Sequence, residues 1–155
     1  MNEQNPIKVG GVAPDFALKD QNKEEFHLSE HRGQRVLLSF HPLAWTGVCA
    51  KQMKALDRHQ DVFSELNTVA VGLSIDSVPA KYSWAKQLEI TRTRLLSDFW
   101  PHGQVAKQFG IFREKDGFSE RANIIVDTEG KVEFVKIYEI PELPDIEEII
   151  SFLKG

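Results

Sequence analysis

Cys49 is the one cysteine among 155 residues, and it stands in the segment His41-Pro42-Leu43-Ala44-Trp45-Thr46-Gly47-Val48-Cys49. A single cysteine cannot close a disulfide within the chain, so its chemistry is that of a thiol. The run Val36-Leu37-Leu38-Ser39-Phe40 ahead of the segment is compact, apolar and of strand length, and helical spacing takes over after it. Cys49 therefore falls in the first turn of a helix, where free N–H groups and the positive helix end favour an anion such as a thiolate. Thr46, three residues earlier, carries a hydroxyl that can bond the sulfur or a substrate oxygen. Pro42 fixes the loop, lacks an N–H and can shield the sulfur from water, and Gly47 lets the backbone come close. These parts suit peroxide cleavage. The thiolate attacks one oxygen, while backbone N–H groups and an arginine take the charge growing on the other. On position alone a second reading stands beside this one, in which Cys49 is a small buried apolar residue.

The elements that would hold this segment can be read along the chain. Phe16-Ala17-Leu18 and Phe26-His27-Leu28 are short strand candidates around a polar turn. Val48, Ala55, Leu56, His59, Val62, Phe63 and Leu66 share one broad face of a single long helix at period 3.6. Val69 to Ile75 reads as the next buried strand. Asp76 or Ser77 caps a helix with Pro79 at its first position and an apolar stripe of Ala80, Trp84 and Leu88. Leu95-Leu96 gives a short strand, and a helix around Val105, Ala106 and Phe109 ends at Gly110. Ala122–Val126 and Val132–Ile137 flank Asp127-Thr128-Glu129-Gly130, a hairpin signal. A last helix carries Ile146, Ile149, Ile150 and Leu153. The order predicts one α/β domain over residues 1–155, a mixed central sheet flanked by helices in the thioredoxin-like arrangement. A βαβ crossover joins the strands that begin at Val36 and Val69.

The spacing Pro42-x3-Thr46-x2-Cys49, after a buried strand and at a helix start, resembles the active-site motif of the peroxiredoxins, the AhpC/TSA family. The resemblance runs from about Val12 to the last helix. It implies that Cys49 is the peroxidatic cysteine, with Thr46 and Pro42 as its catalytic companions. Arg121, just before Ala122-Asn123-Ile124-Ile125-Val126-Asp127, is similar to the family's active-site arginine, and Gln52 matches the position that orients that arginine. The segment Ser97-Asp98-Phe99-Trp100-Pro101-His102-Gly103 resembles the one-cysteine, alkyl hydroperoxide reductase E-like branch. The implied activity is reduction of hydrogen peroxide and organic hydroperoxides through a sulfenic acid. No resolving cysteine is present, since Lys54 stands where one branch has it. An external thiol is therefore the implied reductant: a low-molecular-weight thiol, or a thioredoxin- or glutaredoxin-like protein. Two positions depart from the pattern. His41 stands where Tyr or Phe is usual, and Ala50 where Thr is common; His41 is expected to fill an aromatic slot, with tuning of the thiolate as the alternative.

Composition narrows the field. Hydrophobic residues make up 41% and charged residues 27%, within the range of globular proteins, and the net charge of -4 comes without a basic stripe for nucleic acid or an anionic membrane. The polar start, Met1 to Gly10, lacks the apolar core of a signal peptide, and no apolar run approaches a membrane span, so a cytoplasmic protein is expected. The five histidines, His27, His31, His41, His59 and His102, form no metal-ligand pattern, and no cofactor or phosphate loop is expected. Trp45, Val78, Pro79, Phe99, Trp100 and His102 lie in or beside loops that follow strand ends. Gathered at one edge, they predict a homodimer interface. Two rival functions use the same residues: a redox sensor or holdase switched by oxidation of Cys49, and a thiol-disulfide oxidoreductase. The latter normally requires CxxC, and position 46 is Thr.

Overall fold

The computed structural model describes residues 5–155, so Met1–Gln4, the beginning of the polar N-terminal stretch, lie outside the described residues. The chain opens with a small hairpin of β1 (Ala17–Lys19) and β2 (Glu25–His27), followed by a 3-10 turn at Leu28–His31. Next come β3 (Arg35–Phe40), α1 (Gly47–Arg58), α2 (Gln60–Glu65), β4 (Thr68–Ser74), α3 (Val78–Leu88), β5 (Arg94–Ser97) and α4 (Gln104–Gln108). A two-residue hairpin, β6 (Phe112–Arg113) with β7 (Phe118–Ser119), precedes β8 (Arg121–Val126), β9 (Val132–Tyr138) and α5 (Ile146–Lys154).

The central sheet runs β5-β4-β3-β8-β9. The first three strands are parallel, and β8 and β9 are added antiparallel, which makes the sheet mixed. Alternation along β3 sorts the two faces. Val36, Leu38 and Phe40 enter a core with Phe26, Phe109 and Ile124, while Leu37 joins Met53, Leu56, Trp84, Ile125 and Ile149 under α1, α3 and α5. Ser39 and His41 continue the Leu37 register. Polar residues are thereby delivered to the helix-covered face, beneath Cys49.

Three expectations shift. The long helix after Cys49 breaks at His59, whose non-helical backbone ends α1 and opens α2, and whose ring Nδ1 lies 2.8 Å from the Ala55 carbonyl. The buried face of α1 is Cys49, Gln52, Met53 and Leu56, which shares only Leu56 with the expected face; Val48 and Ala55 are half-buried at its edge. The inward stripe of α3 is Lys81, Trp84 and Ala85 with Leu88 packed beside it; Trp84 and Leu88 stand as expected, and a lysine takes the interior place expected of Ala80. Ser77 caps this helix by accepting from the Ala80 N–H at 3.3 Å, and Pro79 is its second residue. The hairpin β6–β7 carried no sequence signal long enough to find. Among the described residues no helix is long and apolar enough to cross a membrane.

Candidate active site

Three elements converge on Cys49. α1 begins at Gly47, so the cysteine is in its first turn, as expected, and is 0% exposed. Ser39, near the end of β3, and Arg121, the first residue of β8, face the same side of the sheet. Gln52, one turn along α1 from Cys49, is buried between them.

The hydrogen bonds follow from this placement. The Arg121 Nη1 donates to Gln52 Oε1 at 2.7 Å and lies 3.3 Å from Cys49 Sγ. Its Nε and Nη2 both donate to the Ile140 carbonyl, at 2.9 and 2.6 Å. Gln52 Nε2 donates to Ser39 Oγ at 2.8 Å and to the Phe40 carbonyl at 3.2 Å. The guanidinium is thus held from both ends, and a fixed cation faces the sulfur in a dry site. Such a cation stabilises an oxyanion formed beside it.

The other sequence-named residues occupy the entry to this site. Pro42 is buried in the loop, Val48 is half-buried, and Gly47 is exposed. Thr46 is exposed, and its hydroxyl donates to the Leu43 carbonyl at 2.9 Å rather than contacting the sulfur. It makes no side-chain cap on α1, so its hydroxyl does not consume the first-turn N–H groups. The loop is also tied to the end of β4. Asp76 Oδ2 accepts from the Ala44 N–H at 2.8 Å and from Ser74 Oγ at 2.6 Å. The sequence presents Asp76 only as a possible helix cap, since nothing in its neighbours announces a contact 32 residues back.

His41 differs from the slot-filling expectation. Its ring packs on Trp84 with centroids 5.4 Å apart, as an aromatic would, but its Nε2 is 2.8 Å from Lys81 Nζ. Both residues are 0% exposed. Burial chiefly, with the Lys81 charge next, holds the imidazole well below its ordinary pKa, and the Ser39 carbonyl opposes this. Burial brings Lys81 down to about 7, with the charges of Asp76 and Cys49 working to keep its proton.

Of the expected interface residues, Trp45, Phe99, Trp100 and His102 sit on loops after β3 and β5, whereas Val78 and Pro79, expected in a loop, are the first two residues of α3 after β4. These strands are parallel, so the loops share one edge. Trp45 is 55% and Trp100 80% exposed; Phe99, Pro79 and His102 are exposed and Val78 is half-buried. The His102 Nε2 lies 2.7 Å from the Gly117 carbonyl. Asp98 fixes the loop carrying Phe99 and Trp100 by accepting from the Val105 and Ala106 N–H groups at 3.0 and 2.9 Å. Among the described residues, no cluster of three His, Cys, Asp or Glu side chains could hold a metal ion.

A thioredoxin-like α/β sheet with a lone cysteine at a helix start and an arginine against its sulfur defines a class of thiol-reactive proteins. The AhpC/TSA family model matches residues 9–135. Alkyl hydroperoxide reductase E of Mycobacterium tuberculosis is 39% identical over 140 residues, covering 90% of this chain and 91% of that protein. Peroxiredoxin Bcp of Escherichia coli is 37% identical over 138 residues, covering 84% of this chain and 86% of that one. The crystal structure of reduced Plasmodium vivax 2-Cys peroxiredoxin matches with a TM-score of 0.88 at 28% identity, covering 96% of this chain and 81% of that chain. The chain belongs to the AhpC/TSA family of peroxiredoxins, and its single cysteine fits the one-cysteine type.

Proposed function

We propose that this chain is a thiol-dependent peroxidase that reduces hydrogen peroxide and organic hydroperoxides at Cys49. The observation that carries the reading is the Arg121 Nη1 placed 3.3 Å from Cys49 Sγ and fixed by Gln52. The thiolate attacks the nearer peroxide oxygen, the O–O bond breaks, and the other oxygen leaves as water or an alcohol after taking a proton. Arg121 and the first-turn N–H groups of Val48 and Cys49 stabilise the departing charge. Pro42 keeps water from the sulfur. Thr46 holds the peroxide once its hydroxyl turns from the Leu43 carbonyl. The product sulfenic acid is reduced by an external thiol, small or carried by a thioredoxin- or glutaredoxin-like protein, because the chain contains no second cysteine. A lone reduced thiol suits the cytoplasm.

The exposed Trp45, Phe99 and Trp100 on one sheet edge support a homodimer in which a second copy covers them and steadies the Pro42–Cys49 loop. Trp45→Glu or Trp100→Glu is expected to give monomers in sedimentation and slower oxidation together. A wild-type monomer, or a dimer indifferent to both changes, would refute the interface.

Stopped-flow mixing with peroxide, followed by steady-state turnover with a thiol, tests the activity. Rapid oxidation and sustained turnover are expected, with Cys49→Ser inert and folded. Oxidation without turnover would favour the sensor or holdase reading, and turnover of disulfides in place of peroxides the oxidoreductase.

A further inference from the structure

A charged residue with no exposed surface stands on the inward stripe of α3. Lys81 Nζ is 2.8 Å from His41 Nε2 and 5.4 Å from the centroid of the Trp84 ring. The backbone makes room for this pair. A Cβ added at Gly72 on β4 would come within 3.3 Å of His41 Cε1 and 2.4 Å of Met53 Sδ. His41 Nδ1 is buried without a hydrogen-bond partner. An ammonium can only donate, so Lys81 is the donor and His41 Nε2 the acceptor. Trp84, under the Lys81 ammonium, belongs to the same buried cluster as Cys49, and the charged groups around the pair are Asp76 from the end of β4, Cys49 from α1 and Arg121 from β8. Of these, Cys49 is the one whose charge changes during peroxide reduction.

We propose that Lys81, held by His41, is a positioning residue for this reaction: its ammonium balances the Cys49 thiolate, and it gives up a proton when the sulfur becomes a neutral sulfenic acid. The inference rests on the reading of Cys49 as the reacting sulfur. The balance is simple. A sulfur–oxygen bond forms and the peroxide O–O bond breaks. The electron pair leaves with the distal oxygen as hydroxide or alkoxide, and one proton converts that anion to water or alcohol. The sulfur loses its negative charge, and Lys81, in net terms and through solvent, loses its positive one. The buried site keeps the same net charge before and after, which avoids stranding an unpaired ion in a dry interior. Because burial already brings Lys81 to about 7, a change in one neighbouring charge is enough to move its proton at neutral pH.

The coupling is read directly by following the Cε signal of Lys81 in carbon-13-labelled protein as pH is varied, with Lys81→Met identifying the signal. In the reduced wild type Lys81 should titrate near neutrality. In Cys49→Ser, where a neutral hydroxyl replaces the thiolate, its midpoint should fall. Lys81→Met should consume peroxide about 10-fold more slowly at neutral pH and recover toward the wild-type rate at alkaline pH, a shift worth about one pH unit. An equal loss at every pH would indicate a structural role and overturn the proposal, as would a Lys81 midpoint indifferent to Cys49→Ser. Either result leaves peroxidase activity in place, whereas absence of peroxide consumption by the wild type would sink the reading beneath it.

Discussion

Two cations are buried on the Cys49 side of the sheet, and the protein holds them in opposite ways. Arg121 is a permanent charge tied by the Ile140 carbonyl and the Gln52 amide. Lys81 has a histidine nitrogen, an indole face and the more distant Asp76 as partners, and its charge is negotiable at neutral pH. The difference follows from side-chain chemistry. A guanidinium keeps its proton in any protein environment and offers a planar fork, whereas a buried ammonium readily becomes an amine. Arg121 can therefore serve as a fixed electrode against the sulfur, and Lys81 as a buffer behind it.

The comparison breaks most readily at Arg121. Arg121→Ala should slow oxidation by roughly 10²- to 10³-fold, as for loss of an oxyanion donor. Its pH profile should keep the wild-type shape if Lys81 is the titrating partner. Unchanged kinetics would mean that the Cys49 contact is incidental. Gln52→Ala removes no charge but frees one end of the guanidinium and strands Ser39 Oγ. A loss of about 10-fold in rate and about 1–3 kcal/mol in stability is expected from stopped flow and urea titration. A full-sized Arg121 defect here would show that orientation matters as much as charge.

The smallest effect lies in the pH dependence of stability. Lys81 has a lower pKa folded than unfolded, so between about 7 and its ordinary value of 10.5 the unfolded chain binds more protons. The penalty for the buried ammonium is complete below about 7 and is relieved as pH rises through that window. The stability of the wild type minus that of Lys81→Met should therefore climb across the alkaline range. A flat difference in denaturant midpoints would show that Lys81 stays charged throughout.

The Arg121 half of this comparison was legible in the sequence, and the Lys81 half was not. Cys49 at a strand-to-helix junction follows from periodicity, and the places of Arg121 and Gln52 beside it are what the resemblance to the peroxiredoxins implies. Lys81 defeats the same method. A hydrophobic-stripe reading assigns lysine to solvent, so it puts Ala80 inward in the place of Lys81, although Trp84 and Leu88 are read correctly. Its compensating partner, His41, is 40 residues away, and only the pairing of β3 with β4 brings the two together. The Leu43 bond of Thr46 and the Asp76 clasp on Ala44 are likewise tertiary facts with no periodic trace. The expected strands β1 and β2 were each off by a single residue, within ordinary end fraying.

Because Cys49 has no exposed surface, the size of a reagent decides what it reports. Surveys that rank cysteines by capture with bulky iodoacetamide or maleimide tags will score this one as inert in the native protein. Surveys that ask which thiol disappears first under a pulse of hydrogen peroxide should place it near the top. The two rankings should converge once the protein is unfolded in denaturant before tagging.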